Sequence, residues 1–193
     1  TPVTAKYTPT VTPVTPEGTP AETTDIQGKE QNGKPEFKPG NPEVPMDDEV
    51  PATFEDGSTT KTIPGEGTYT VSPDGTVTFV PEKSFTGTGT GVTVKRVDKN
   101  GTPVTAKYTP TVLPATPTAT PAETTDIQGA LQKGLPQFLG GRVSVDGVQK
   151  IVPIDETKPL ELIDPSTGKV TNEIVVPGEG TYTVYNLSLI HIS

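Results

Sequence analysis

Cysteine and tryptophan are absent from the 193 residues, and the single histidine is His191. These absences exclude disulfide frameworks and thiol catalysis, and they leave almost nothing from which to build His-based catalytic or zinc sites. Aromatic residues make up 5% of the chain, while Leu, Ile, Val and Phe total 43, so any hydrophobic core is thin. No apolar run reaches the roughly 18 residues of a membrane helix, and no basic start leads into an apolar stretch. Neither a membrane span nor a signal peptide is therefore expected. Basic residues are outnumbered 15 to 24, and the formal net charge of -9 argues against nucleic acid as a partner. The composition predicts a chain that is not an enzyme, with no catalytic, cofactor-binding or metal-binding residues and no cofactor.

What the chain has in quantity is proline, glycine and threonine, arranged with a long period. Residues 1–28 and 102–129 are identical at 24 positions, differing only at Thr12/Leu113, Val14/Ala115, Glu17/Thr118 and Gly18/Ala119. The register of 101 holds at Pro35-Glu-Phe37 and Pro136-Gln-Phe138. It then slips to 108 at Asp56/Asp164 and to 113 at Pro64–Val71/Pro177–Val184, so seven and then five residues are inserted in the second copy. A period near 100 is too long for a solenoid of roughly 20–50-residue repeats and suits a string of domains. Insertions of this kind suit surface loops.

Within the first copy, Thr68–Val71 and Thr76–Phe79 alternate polar and apolar residues, which sends Tyr69, Val71, Val77 and Phe79 to a buried face. Ser72-Pro-Asp-Gly75 between them has turn chemistry at each position and predicts a hairpin. A second hairpin is predicted where Gly91–Val97 and Val104–Tyr108 flank Asp98-Lys-Asn-Gly101. Further strands are expected between Asp47 and Ile63, anchored by Val50, Phe54 and Ile63. Helical turns are expected only near Gly129–Lys133. The fold class is therefore all-β: tandem antiparallel, Ig-like β-sandwich repeats joined by Pro/Thr-rich linkers. The uncharged stretch Thr109–Pro121 reads as an extended, polyproline-like spacer, its alternative being a glycosylated, mucin-like stalk.

Several short motifs compete with these readings. Glu43, Asp47, Asp48, Glu49, Glu55 and Asp56, with no Lys or Arg among residues 43–56, form an acidic run. It is either a solvated loop or, without EF-hand spacing, an irregular calcium site. Leu113-Pro-Ala-Thr116 resembles the start of a sortase signal, but Pro117 stands where glycine is needed. Asn100-Gly-Thr102 and Asn186-Leu-Ser188 fit glycosylation sequons, the first better explained as a turn. A Lys–Asn isopeptide staple would require a buried lysine. After Val184 the second copy departs from the first. Leu187–Ser193 matches one reading frame of a transposon-end sequencing adapter, the alternative being a divergent strand; on the adapter reading, residues 185–193 are not part of the repeat.

Asp25-Ile-Gln-Gly28, Phe54-Glu-Asp-Gly57, Gly65-Glu-Gly-Thr-Tyr-Thr-Val71, Thr76-Val-Thr-Phe-Val-Pro81, Phe85-Thr-Gly87 and Tyr108-Thr-Pro-Thr-Val112, in this order and in tandem, resemble the CshA-type fibril repeat of streptococcal, Gram-positive surface adhesins. The resemblance spans essentially residues 1–184. It implies a cell-wall-anchored stalk, extracellular and fixed to peptidoglycan through a region absent here. Partners would be neighbouring repeats and, through the parent protein, host or bacterial surface ligands. Residues 1–16 are expected to end one repeat, 20–112 to form a complete one, 113–121 to link, and 122–184 to begin another. The alternative is that the repeat is itself an adhesive module.

Overall fold

Strand follows strand throughout the computed structural model, which describes residues 1–185 and 189–192. The chain divides into two units, Thr1–Pro114 and the residues from Ala115 onward. Among the described residues there is no helix. The turn at Ile127–Ala130 leads straight into a strand, which corrects the helical turns expected near Gly129–Lys133. β-Branched residues and recurrent proline leave no stretch with helical propensity to compete.

Unit 1 contains β1 (Glu17–Thr19), β2 (Ala21–Ile26), β3 (Gln31–Gly33), β4 (Glu36–Lys38), β5 (Thr53–Phe54), β6 (Thr60–Ile63), β7 (Gly67–Val71), β8 (Val77–Pro81), β9 (Gly87–Thr88), β10 (Val92–Val97) and β11 (Pro103–Leu113). One sheet runs β3-β8-β7-β6 and the other β2-β11-β10-β5, with β9 also on β11; β1 and β4 pair separately. Tyr69, Val71, Val77 and Phe79 from the first sheet meet Phe54, Val92, Val94, Tyr108 and Val112 from the second in one buried cluster. The predicted alternation in β7 and β8 thus fills the core. Tyr69 stacks on Phe79 with ring centroids 4.5 Å apart and meets Tyr108 edge-on at 6.4 Å. Phe54 and Ile63 anchor as expected, but Val50 is 42% exposed and belongs to no strand.

Both predicted hairpins form. Val71 faces Val77 across Ser72–Thr76, closed by Gly75 N–H donating to Ser72 O at 2.9 Å. Val97 faces Pro103 across a turn in which Gly101 N–H donates to Asp98 O at 2.8 Å. A third hairpin, β6–β7, turns at Pro64-Gly65, where Gly65 takes φ 79° and Glu66 N–H donates to Ile63 O at 3.0 Å. This is the type II geometry that Pro-Gly supplies. Pairing is antiparallel with one exception: β2 lies parallel to β11 in six-residue register from Ala21↔Tyr108 to Ile26↔Leu113. The first six-residue strand of the repeat is therefore held by the last.

Unit 2 contains β12 (Thr118–Thr120), β13 (Gln132–Gly134), β14 (Gln137–Leu139), β15 (Gly141–Val145), β16 (Val148–Val152), β17 (Leu162–Ile163), β18 (Val170–Thr171), β19 (Glu173–Val176), β20 (Gly180–Tyr185) and β21 (Leu189–Ile192). The order β13-β21-β20-β19 reproduces β3-β8-β7-β6, so Leu189–Ile192 occupy the place that Val77–Pro81 fill in unit 1. The extra residues of this copy fall where the hairpins β15–β16 and β17–β18 form. Asp146-Gly147, both at positive φ, makes the two-residue turn of the first. A surface loop was the expectation for these insertions. The Val143-x-Val145-Asp-Gly-Val148 pattern dictates strands instead.

Strand pairing also occupies much of the stretch read as an extended spacer. Thr109–Leu113 continues β11, with Pro110 and Val112 buried. β12 pairs with β14 as β1 pairs with β4. Ala115 is buried, and a Cβ on Gly141 would lie 2.5 Å from its carbonyl oxygen, just as one on Gly40 would lie 2.1 Å from that of Thr15. Each unit thus carries its own leading segment on its surface.

Replacing Tyr108 by Ala should destabilise unit 1 by about 3–5 kcal/mol, the range for deleting a buried aromatic ring. The loss should appear as a lower urea midpoint with faster amide exchange across 21–26. Undiminished protection of 21–26 in that variant would show that β2 does not depend on β11.

Candidate functional site

The acidic run from Glu43 to Asp56 has no basic residue of its own, yet the fold brings two to it. Asp47 N–H donates to Val97 O and Lys99 N–H to Pro45 O, which lays the run along the end of β10. Lys99 Nζ then reaches Asp47 at 2.7 Å and Glu49 at 3.4 Å, and Arg96 pairs with Asp48 at 2.8 Å. The lysine hydrogen bond holds the Asp47 carboxyl below its usual range. Asp56 is used differently, accepting from Ser58 N–H and Oγ at 2.9 and 2.6 Å within its own turn. Glu43 and Glu55 complete the run as exposed residues. Among the described residues no group of three or more His, Cys, Asp or Glu is placed to hold a metal ion. Three of the six acids, Asp47, Asp48 and Glu49, are joined to cations from a sequence-distant hairpin.

The densest polar network is elsewhere, beneath the β6–β7 turn. Glu66 is buried and accepts the Tyr69 hydroxyl, Thr90 N–H at 3.0 Å and Thr90 Oγ1 at 2.8 Å. Burial pushes its carboxyl up, but these donors outweigh burial and hold it below its ordinary value. Burial, followed by the adjoining carboxylate, pushes the Tyr69 hydroxyl up. The network ties the turn of one sheet to the β9–β10 connection of the other, and Tyr69 carries it into the core. Sequence reasoning missed Glu66. The available signal was Gly-Glu-Gly-Thr-Tyr in both copies, and Tyr182 duly donates to Glu179 in unit 2.

The remaining motifs lie on scaffold. Asn100 and Thr102 sit in the β10–β11 turn, where both N–H groups donate to buried Asp98 Oδ1 at 2.9 and 2.8 Å. Leu113 is the last residue of β11 and Ala115 is buried, so the sortase-like stretch is held on either side of Pro114. Asn186-Leu-Ser188 lies outside the described residues, and His191 contributes backbone pairing to Thr183 and Lys133. Every lysine among the described residues is exposed or half-buried, whereas an isopeptide staple needs a buried one. Beside the acidic run, Lys34, Phe37, Lys38, Asp74 and Arg96 line a groove of about 660 Å3 to which the run itself contributes Asp48. Asp74 in its wall is held at about 2 by its Lys34 ion pair and by Thr76.

A two-sheet sandwich closed by its own last strand, followed by a unit that repeats one of its sheets, with side chains spent on internal ties, defines a tandem all-β repeat protein. Residues 13–112 and 114–190 match the family described as the surface adhesin CshA repetitive domain, and the chain belongs to that family. It is accordingly an adhesin repeat of the cell surface. Repeat domain 13 of the fibrillar adhesin CshA from Streptococcus gordonii is 68% identical over a match covering 36% of this chain and 90% of that domain, with a TM-score of 0.22. The four N-terminal Ig domains of Dscam1 isoform 4.44 match at 10% identity over 95% of this chain and 46% of theirs, TM-score 0.32. The Ig1-2 module of the Drosophila receptor tyrosine phosphatase DLAR matches at 13% over 93% and 95%, TM-score 0.26. No curated protein matches the chain.

Because the folded-state value of Glu66 lies below its unfolded one, its contribution is complete at neutral pH. It is lost as pH falls past the ordinary carboxylate range and through the lower folded value. Glu66→Gln should therefore cost about 1.5–3 kcal/mol at pH 7, the range for a hydrogen bond to a charged group. The gap from wild type should close at acid pH. Urea midpoints for both proteins at neutral and acid pH test this, and a pH-independent gap would refute the charged role.

Proposed function

We propose that the chain is a length of stalk from a cell-wall-anchored fibrillar adhesin, working mechanically to project a distal binding region. In this reading residues 1–16 end one repeat, 20–112 form a complete one, 113–121 join, and 122–184 begin the next. It is not an enzyme, and it carries no cofactor. The observation that supports this most is the parallel pairing of β2 with β11. The chain enters the repeat at the start of β2 and leaves at the end of β11. Tension between neighbouring repeats then pulls two parallel strands in opposite directions along their length. The six register positions share the load in shear instead of opening one after another.

The joint supports the same reading. Pro114, Pro117 and Pro121 fix φ at three positions of the 113–121 join, as a spacer stiffer than a Gly/Ser linker would require. Acidic, threonine-rich surfaces keep successive repeats soluble.

A second reading, in which the repeat itself adheres, is favoured by the mixed-charge groove around Lys34, Phe37 and Arg96. Saturable binding of a host matrix protein by this chain, abolished by Phe37→Ala, would support it.

The stalk reading is tested by pulling. The chain has no cysteine, so paired cysteine handles can be placed at will. Handles at positions 20 and 114 load β2 and β11 in shear, whereas handles at 20 and 101 pull both strands from the same end and open the pairing stepwise. Unit 1 should unfold at clearly higher force in the first geometry, because forced unfolding reads the barrier along the pulled direction. Equal forces would remove the mechanical argument.

A further inference from the structure

The groove beside the acidic run of unit 1 has in its wall an arginine whose hydrogen bonding is incomplete. The Arg96 side chain is 10% exposed. Its Cδ, the Phe37 ring and Ala52 Cβ all lie within 3.9 Å of where a Cβ on Gly75 would stand, so its stem is packed and its guanidinium held in place. Nη2 donates to Asp47 O at 3.1 Å and to Asp48 at 2.8 Å, whereas Nε is buried without a partner. A buried donor left unpaired is costly, and the planar fork of arginine suits a carboxylate taken through two N–H groups. The carboxylate that meets it here belongs to Asp48, whose side chain is 89% exposed. An ion pair so open to water contributes little, and a competing carboxylate can displace it.

The other charges of the groove favour such a competitor. Lys34 is neutralised by Asp74 at 2.8 Å, which leaves Lys38 and Glu36 exposed on β4. With Asp48 displaced, two cations, Lys38 and Arg96, stand against one acid, Glu36. The second copy shows that the strand does not need its lysines. There Leu135 and Leu139 replace Lys34 and Lys38, Phe138 keeps the ring, and β12 still pairs with β14 as β1 does with β4. Among the described residues β4 pairs with β1 alone, so its second edge is open to an extended chain.

We propose that this groove binds an extended acidic peptide of another protein, one carboxylate of which displaces Asp48 and takes the Nε–Nη2 fork of Arg96. Lys38 meets a second carboxylate, and Phe37 packs against the apolar atoms of the peptide. Asp48 is then a tethered competitor that keeps weaker anions out. The inference rests on the second reading above, in which the repeat itself adheres, and supplies the class of its ligand.

The probe is an acetylated, amidated peptide alternating proline and glutamate, kept extended by its prolines, with the proline–glutamine peptide as control. Amide NMR of the full chain at low salt, with peptide up to about 10 mM to capture weak binding, should show saturable shifts at Lys34, Phe37, Lys38, Asp74 and Arg96. The glutamine peptide should produce none. Asp48→Asn should tighten binding at least about threefold, because more of the protein is then competent to bind. Arg96→Lys, which keeps stem and charge but loses the fork, should weaken it at least about tenfold. Lys38→Gln should weaken it about threefold. The absence of saturable shifts, equal shifts with the glutamine peptide, or unchanged affinity in Asp48→Asn would each overturn the proposal. Asp48 and Lys38 are exposed, so their variants decide the matter even if Arg96→Lys prevents folding. A host matrix protein whose capture is lost in Phe37→Ala but indifferent to Asp48→Asn and Lys38→Gln would sink this inference and leave the adhesive reading standing. Binding of the glutamate peptide as described, with no host protein captured, would support the site and remove the adhesive reading.

Discussion

The repeat depends on its final strand. β11 is the longest in the chain, shares a sheet with β2, β9 and β10, and drives Tyr108 into the space between the two sheets. Parallel pairing of the first and last long strands places a contact between residues 87 apart beside the buried Tyr108 ring. Closing such a contact is entropically costly until the apolar face beneath it is ready. The rest of the unit prepares that face: β7 and β8 align Tyr69, Val71, Val77 and Phe79, and Gly33 leaves room for the ring.

The chain provides an internal control. The same six residues are strand at 21–26 and not at 122–127, and the difference follows the presence of the partner strand, not the sequence. β-Propensity is largely a statement about fitting a half-buried, paired surface. Ala-Glu-Thr-Thr-Asp-Ile has little to hold it extended by itself, since only Ala and Ile can be buried. By contrast, the Pro-Gly-Glu-Gly turn and the Glu–Tyr bond recur in both units, with Gly65 and Gly178 both at positive φ. Local chemistry survives without the second sheet; strand β2 does not.

That division explains what could be read in advance. Elements set by neighbours in sequence were legible: the Ser72–Gly75 and Asp98–Gly101 turns, the alternation in β7 and β8, and the sandwich class. The parallel β2–β11 pair was not, because 87 residues separate its partners, as the register from Ala21↔Tyr108 to Ile26↔Leu113 shows, and no local pattern encodes a mate at that distance. The cations beside the acidic run were illegible for the same reason, since Arg96 and Lys99 reach it only through tertiary pairing. The Thr/Pro stretch looked like an extended spacer because proline suggests extended backbone, which is equally what a paired strand requires. Val143–Val148 was legible and overlooked: Asp-Gly between alternating valines is a strong hairpin signal.

A unit whose polar groups satisfy one another has few left with which to do chemistry. Glu66 could have been a poised acid had its environment raised its affinity for a proton, as burial alone would do. Three donors reverse that effect, and the carboxylate becomes a fixed anion that fastens a turn to the opposite sheet. Asp98 caps its own hairpin, Asp74 holds Lys34 and Thr76, and Asp47 holds Lys99. In each case charge is spent on geometry at a turn, where the chain reverses between strands that tension would slide or peel. With a thin core and no disulfide, these ties and the closing strand are what hold the repeat together. The distribution of its charges therefore marks them as parts of the scaffold, each fixing a turn to a neighbouring strand or turn.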